Sequence, residues 1–266
     1  MNRKILLLLK NYTLMSNLKQ KLKNNNLTIG SWITIGHHSI IEIMSSAGFD
    51  WLTIDLEHSA IELTEAQNLI AHIQANGMEA LVRVGKNEEV IIKRVLDAGA
   101  NGIIVPMVNS KSDAIKAVRY VKYPPHGKRG VGLARAQKYG IGFEEYKKKL
   151  EDEIVIIAQV EHIDSVNNLE EILGVKGIDG VIIGPYDLSG SMGKPGRFND
   201  DDVKTAIKGV ESVCKKLNKP LGFHVIPPDN KELNKKILDG YTFLAFSLDF
   251  LFLGEKARLE MSNIKK

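Results

Sequence analysis

Two acidic residues end apolar runs one β-α unit apart. Glu161 closes Ile-Val-Ile-Ile-Ala-Gln-Val-Glu (154–161), and Asp187 follows Gly-Val-Ile-Ile-Gly-Pro-Tyr (180–186). Consecutive buried strands that finish in carboxylates place hard oxygen donors side by side, the set that Mg2+ and related divalent cations take. Other polar residues fall at the ends of neighbouring runs: Trp32 in the first; Asp55, Glu57 and His58 after the second; Arg83 closing the third; Gln159 just before Glu161. Together they offer two metal carboxylates, a cation for an anionic ligand, an amide and a titratable base, which suffices for chemistry on a chelating oxoacid. His58, with Asp55 and Glu57 beside it, is the candidate acid-base group. Arg83 follows Ala-Leu-Val, where a guanidinium needs an anion, either a neighbouring carboxylate or a substrate. Plainer roles compete with each of these. Glu161 and Asp187 could each belong to a structural ion pair with a basic residue or cap a helix, and Trp32 could be core. Asp97 would by default be solvated or pair with Lys93. His37, His38, His72, His126, His162 and His224 offer weaker cases.

Eight runs must hold these groups: Ile29–Ile35, Trp51–Glu57, Glu79–Val84, Gly102–Val108, Ile154–Glu161, Asp179–Gly184, Leu221–Val225 and Thr242–Ser247. Most are near-continuous Ile, Val and Leu, as strands covered on both faces should be. Helix-period segments alternate with them, including Leu63–Asn76, Glu88–Ala98, Lys111–Val121 and Asp201–Leu217. Eight such units predict an α/β fold, a (β/α)8 TIM barrel, in which strand C-terminal ends face the active-site mouth. The stretch 123–152 reads as a long functional loop followed by a short helix, Phe143–Leu150. No run holds a central lysine, which argues against an imine mechanism. The glycines of Gly-Lys-Arg-Gly-Val-Gly (127–132) lack the spacing of a phosphate-binding loop.

The chain has 266 residues, within the range of one barrel domain. Residues 1–16 read as an N-terminal appendage, with Met15 as a possible alternative start, and 17–266 as a single domain. With 36 basic and 32 acidic residues and no dense basic block, the sequence gives no footprint for nucleic acid. The lone Cys214 excludes an intramolecular disulfide and reads as a buried core thiol. The N-terminal apolar run is shorter than a secretory h-region, and no stretch reaches the roughly 20 apolar residues of a membrane span. A cytoplasmic protein without membrane association is expected.

At these residues the chain resembles the HpcH/HpaI aldolase family of class II pyruvate aldolases. The shared motifs are Ile-Gly-Ser-Trp (29–32), Gly-Phe-Asp-Trp-Leu-Thr-Ile-Asp-Leu-Glu-His (48–58), Val-Arg-Val (82–84) and Val-Pro-Met-Val (105–108). They continue with Tyr-Pro-Pro (123–125), Arg-Gly-Val-Gly (129–132), Gln-Val-Glu (159–161) and Ile-Gly-Pro-Tyr-Asp-Leu-Ser (183–189). The resemblance implies that Glu161 and Asp187 ligate Mg2+, Mn2+ or Co2+. It also implies that Arg83 and Gln159 contact a pyruvate moiety whose carboxylate meets amides near Tyr186 and Asp187, with Trp32 at the pocket. His58 would be the acid-base residue, tuned by Asp55 and by Asp97 of a neighbouring subunit. A homo-oligomer is implied, a hexamer built as a trimer of dimers that exchange C-terminal helices, here Asp249–Met261.

Two departures stand out. Gly85-Lys86-Asn87-Glu88 replaces the Trp-Asn-Asp-Pro of many relatives. Gly-Val-Gly-Leu-Ala-Arg-Ala-Gln (130–137) lacks a serine common in the family, so that Arg135 or Gln137 is expected to line the pocket instead. The expected activity is reversible retro-aldol cleavage of a 4-hydroxy-2-oxoacid to pyruvate and an aldehyde. Oxaloacetate decarboxylation at the same site is the main alternative, a citrate-lyase-like reaction on a CoA thioester a lesser one, and a non-catalytic oxoacid- or metal-binding barrel the alternative of another class.

Overall fold

The apolar runs are parallel strands closed into a barrel. The computed structural model describes residues 17–264, so the appendage 1–16 lies outside the described residues. The strands are β1 (Thr28–Ile33), β2 (Trp51–Asp55), β3 (Glu79–Arg83), β4 (Gly102–Val105), β5 (Val155–Val160), β6 (Gly180–Ile183), β7 (Leu221–Val225) and β8 (Phe243–Leu248). They pair in chain order, and β8 returns to β1. Twelve α-helices occur among the described residues. α1 (Leu18–Lys23) precedes the barrel; α2 (His38–Ser45), α3 (Leu63–Ala75), α4 (Glu89–Asp97) and α5 (Lys111–Val121) follow the first four strands. α6 (Phe143–Asp152) leads into β5, and α7 (Ile163–Asn167) and α8 (Leu169–Leu173) follow it. α9 (Pro185–Ser191) and α10 (Asp201–Leu217) follow β6, α11 (Asn230–Leu238) follows β7, and α12 (Asp249–Ser262) ends the chain.

Inside the barrel, Trp51 stacks on Phe243 at 4.4 Å among Leu81, Ile104 and Ile157. A Cβ on Gly30 would come within 2.0 Å of the Trp51 ring, so that position takes no larger residue. α1 seals the end opposite the site. Leu18 and Leu22 join the interior cluster, while Lys19 and Lys21 pair with Asp179 and Asp50. A second apolar layer separates strands from helices and contains Cys214, whose thiol burial pushes up to about 12.

Several strands stop earlier than the apolar runs, each for a local reason. β2 ends at Asp55, because Asp55 Oδ1 accepts the backbone N–H groups of Glu57 and His58 and turns the chain. β4 ends before Pro106, which has no amide to continue the ladder, and Met107 takes φ 52°. Asp187 lies in the first turn of α9, a helix whose first position is Pro185. No described helix is long and apolar enough to cross a membrane.

Candidate active site

Asp55 and Arg83 face each other in the β2–β3 register. Arg83 donates from Nε to Asp55 Oδ1 (2.9 Å) and from Nη2 to Oδ2 (2.5 Å), and its Nε lies 3.3 Å from Glu57 Oε2. Among the described residues its Nη1 has no partner. Burial opposes ionisation of Asp55, yet the Arg83 contacts hold its carboxyl below the usual range. Glu57 has only one shared guanidinium; burial and the carboxylates of Glu161, Asp55 and Asp187 push it up to about 7. The His58 ring is exposed, with Nε2 3.8 Å from Glu57 Oε2.

Glu161 follows β5 and is buried. Its Oε1 accepts the Met107 amide at 2.6 Å and its Oε2 accepts the Gln159 side-chain amide. Burial, with the Asp187 charge nearby, raises its pKa against those two donors. Gly184 keeps the space beside it open: a Cβ there would lie 3.5 Å from the Glu161 Cβ. Asp187 is exposed on the mouth side. Asp55, Glu57, Glu161 and Asp187 share this rim with Arg83, which is already engaged by two of them. The surplus negative charge at Glu161 and Asp187, together with the unpartnered buried Oε1 of Gln159, fits a divalent cation. No three His, Cys, Asp or Glu side chains among the described residues surround one point, so such a cation would complete its shell with ligand and water.

Beside these carboxylates lies a narrow cavity of about 40 Å³ reached by Trp32, Arg83, Gln159, Tyr186, Asp187 and His224. The Arg83 guanidinium sits 4.3 Å above the Trp32 ring. Tyr186 turns its side chain outward against Phe198, leaving its backbone at the rim. Trp32 Nε1 and His224 Nε2 are buried without hydrogen-bond partners among the described residues. Burial and the Arg83 charge push His224 down to about 3, so the ring is neutral.

The structure gathers Trp32, Asp55, His58, Arg83, Gln159, Glu161, Tyr186 and Asp187 at one end of the barrel. Asp97 is not among them within one chain. It ends α4 at the opposite face and pairs with the buried Arg129 (2.6 Å) rather than with Lys93. Arg135 and Gln137 do not line this pocket either. Arg135 donates to Ala98 O and Gln74, and Gln137 donates to Asp97 and Tyr123, so both fasten the 129–140 loop to the end of α4. His162 caps α7. The sequence reading ranked His224 only among the weaker histidines and did not find the Met107 amide. A residue at the C-terminal half of β7 was signal enough to consider the former; a backbone donor leaves none.

A family model described as HpcH/HpaI aldolase/citrate lyase matches residues 28–252. A protein from Sagittula stellata named hydroxypyruvate/pyruvate aldolase is 38% identical over 87% of this chain and 90% of its own length. A Pseudomonas putida 2-dehydro-3,6-dideoxy-6-sulfogluconate aldolase is 34% identical over 89% and 92%. The solved structure of an HpcH/HpaI aldolase/citrate lyase family protein from Burkholderia cenocepacia superposes with a TM-score of 0.88 at 30% identity, covering 94% of this chain and 99% of that one. The chain belongs to the HpcH/HpaI aldolase/citrate lyase family, as a carbon–carbon lyase of the aldolase type.

Proposed function

We propose that this aldolase reversibly cleaves a 4-hydroxy-2-oxoacid to pyruvate and an aldehyde, with a divalent cation held by Glu161 and Asp187. The observation that carries this reading is Arg83: two of its nitrogens are spent on Asp55, which aims the guanidinium at the mouth beside Gln159 and Glu161. A bound Mg2+, Mn2+ or Co2+ would supply Lewis-acid polarisation of the 2-oxo group. Arg83 and Gln159 hold the oxoacid head, and the first-turn amides at Tyr186 and Asp187, which have no acceptor within α9, face its carboxylate. His58 takes the proton of the C4 hydroxyl. The C4 carbonyl then forms as the C3–C4 bond breaks, and its electron pair becomes the enolate of pyruvate. Arg83 offsets the charge developing on that enolate, and a proton returned to C3 completes pyruvate.

A second copy of the chain completes the reading. Asp97 can tune His58 only from another subunit, and the outer half of α12 leaves Leu259 and Met261 exposed, which supports a homo-oligomer with exchanged helices. Light scattering that finds a monomer would exclude this part.

The test is pyruvate release, coupled to lactate dehydrogenase, over a panel of 4-hydroxy-2-oxoacids with each metal added separately. Chelated enzyme should lose turnover and regain it with one of the ions, and Glu161→Gln should lose both turnover and calorimetric Mn2+ binding while staying folded. Full pyruvate release after chelation would refute the metal assignment.

A further inference from the structure

A cleft of about 810 Å³ opens between α10 and α11 and reaches Phe223 of β7. It shares Pro185, Tyr186, His224 and Ile226 with the small cavity at the barrel mouth, so the two meet at the rim. Ile207, Phe223 and Ile226 give it apolar surface, and five lysines line it: Lys204 and Lys208 from α10, and Lys231, Lys235 and Lys236 from α11. Among the described residues none of these five forms an ion pair, whereas Lys194 and Lys216 nearby in the chain both do. Three acids share the cleft, Glu211, Glu232 and Asp239, which leaves an excess of two positive charges. Glu211 is already engaged, since its Oε1 accepts the Tyr241 hydroxyl at 2.6 Å. Lys236 is half-buried, with Nζ 3.8 Å from the centre of the Phe223 ring and 4.8 Å from that of Tyr241. Burial pushes its amine below the usual lysine range, although Glu211, Asp239 and Glu232 pull the other way. A cation held over two rings, with no carboxylate against it, is relieved by an anion that enters the cleft.

The lysine spacing sets the kind of anion. Lys204 and Lys208 are four residues apart, as are Lys231 and Lys235, so each pair stands on one helix face with roughly 6 Å between its members. Both helices run from the mouth towards the opposite end, as the helices of this barrel must. Lys204 and Lys231 thus form one rank of cations near the mouth, and Lys208 and Lys235 a second rank one turn deeper. One carboxylate engages one rank; two anionic groups on a short body engage both. We propose that this cleft binds a small organic molecule carrying two phosphate groups, one at each rank of lysines, with its carbon body against Ile207 and Phe223. Pro185 and Tyr186 belong to both cavities, so the occupant lies against the first turn of α9 and changes the apparent affinity for the oxoacid. The binding is independent of the aldol reading above; its effect on turnover rests on that reading.

Calorimetry tests the binding at physiological ionic strength, in EDTA to keep the probes off any metal at the rim. Fructose 1,6-bisphosphate and ADP are the two probes, and they separate a sugar body from a nucleoside one. At least one should saturate the full chain with a dissociation constant below about 0.1 mM. The double variant Lys208→Ala/Lys235→Ala removes the deeper rank and should weaken that binding at least about tenfold, a loss of roughly 1.4 kcal/mol. Lys236→Met keeps the stem and removes the charge, and should weaken it as well; if it does not fold, the exposed pair Lys208 and Lys235 still decides. The control Lys147→Ala/Lys148→Ala loses the same charge from the exposed face of α6, outside the cleft, and should stay within about twofold of wild type. Neither probe saturating below about 1 mM, or equal weakening in the cleft and control variants, would overturn the proposal. In the pyruvate-release assay a saturating probe should shift KM for the oxoacid at least about threefold in wild type and not in Lys208→Ala/Lys235→Ala, about 0.65 kcal/mol of coupling. A KM that ignores a probe shown to bind would overturn the link to the site, whereas an enzyme that releases no pyruvate at all overturns the aldol reading and leaves the binding result standing.

Discussion

Asp55 and Arg83 lie side by side on neighbouring strands, and the carboxylate takes two of the guanidinium's nitrogens at once. Both are buried, so removing one partner strands the charge of the other. Asp55→Asn should therefore cost on the order of 3 kcal/mol and lower the melting temperature by roughly 10 °C. Because Arg83 loses its anchor, kcat/KM should fall by at least about a hundredfold as well. Scanning fluorimetry and steady-state kinetics check both halves, and an unchanged melting temperature would show that the pair does not hold the site together.

His58 differs from its neighbours in having an exposed ring, whose one ionic neighbour among the described residues is Glu57. Its replacement should leave stability within about 0.5 kcal/mol while removing a proton acceptor. For His58→Ala, aldol cleavage should drop between about 10²- and 10⁴-fold. Decarboxylation of oxaloacetate reaches the same enolate with no hydroxyl to deprotonate, so it should survive within about tenfold. Equal losses of the two activities would mean that His58 does not handle the hydroxyl proton.

The strand-end acids and Arg83 were legible because a charge that closes an apolar run must have a partner, and a barrel sends all such ends to one rim. The partner itself was less legible. Arg83 answers first to Asp55 and Glu57, a register effect that a list of strand ends does not encode. Asp97 pairs with Arg129, 32 positions further along the chain and beyond β4 and α5, a long-range contact that no periodicity announces. His224 ranked low for another reason: strands buried on both faces lose the alternation that would tell inward from outward positions. The amide of Met107 depends on a positive φ at a residue type that rarely adopts one, so its place was visible only in three dimensions.

Glu57 connects the site to pH. Its carboxyl, near 4.5 in an unfolded chain, is pushed up to about 7 in the fold by burial and by the surrounding carboxylates. Between those values the folded chain holds a proton that the unfolded chain has lost, so this group's contribution to stability is present below about pH 4.5 and is lost as pH rises through 7. A shift of this size corresponds to roughly 3 kcal/mol. In EDTA, urea unfolding of wild type and Glu57→Gln should give similar stabilities near pH 4.5, with the variant increasingly the more stable of the two up to pH 8. A divalent cation at Glu161 and Asp187 would offset the negative field that raises Glu57, so added Mn2+ should narrow the gap at the alkaline end. Parallel stability curves across that range would show that Glu57 ionises as freely in the fold as in the open chain.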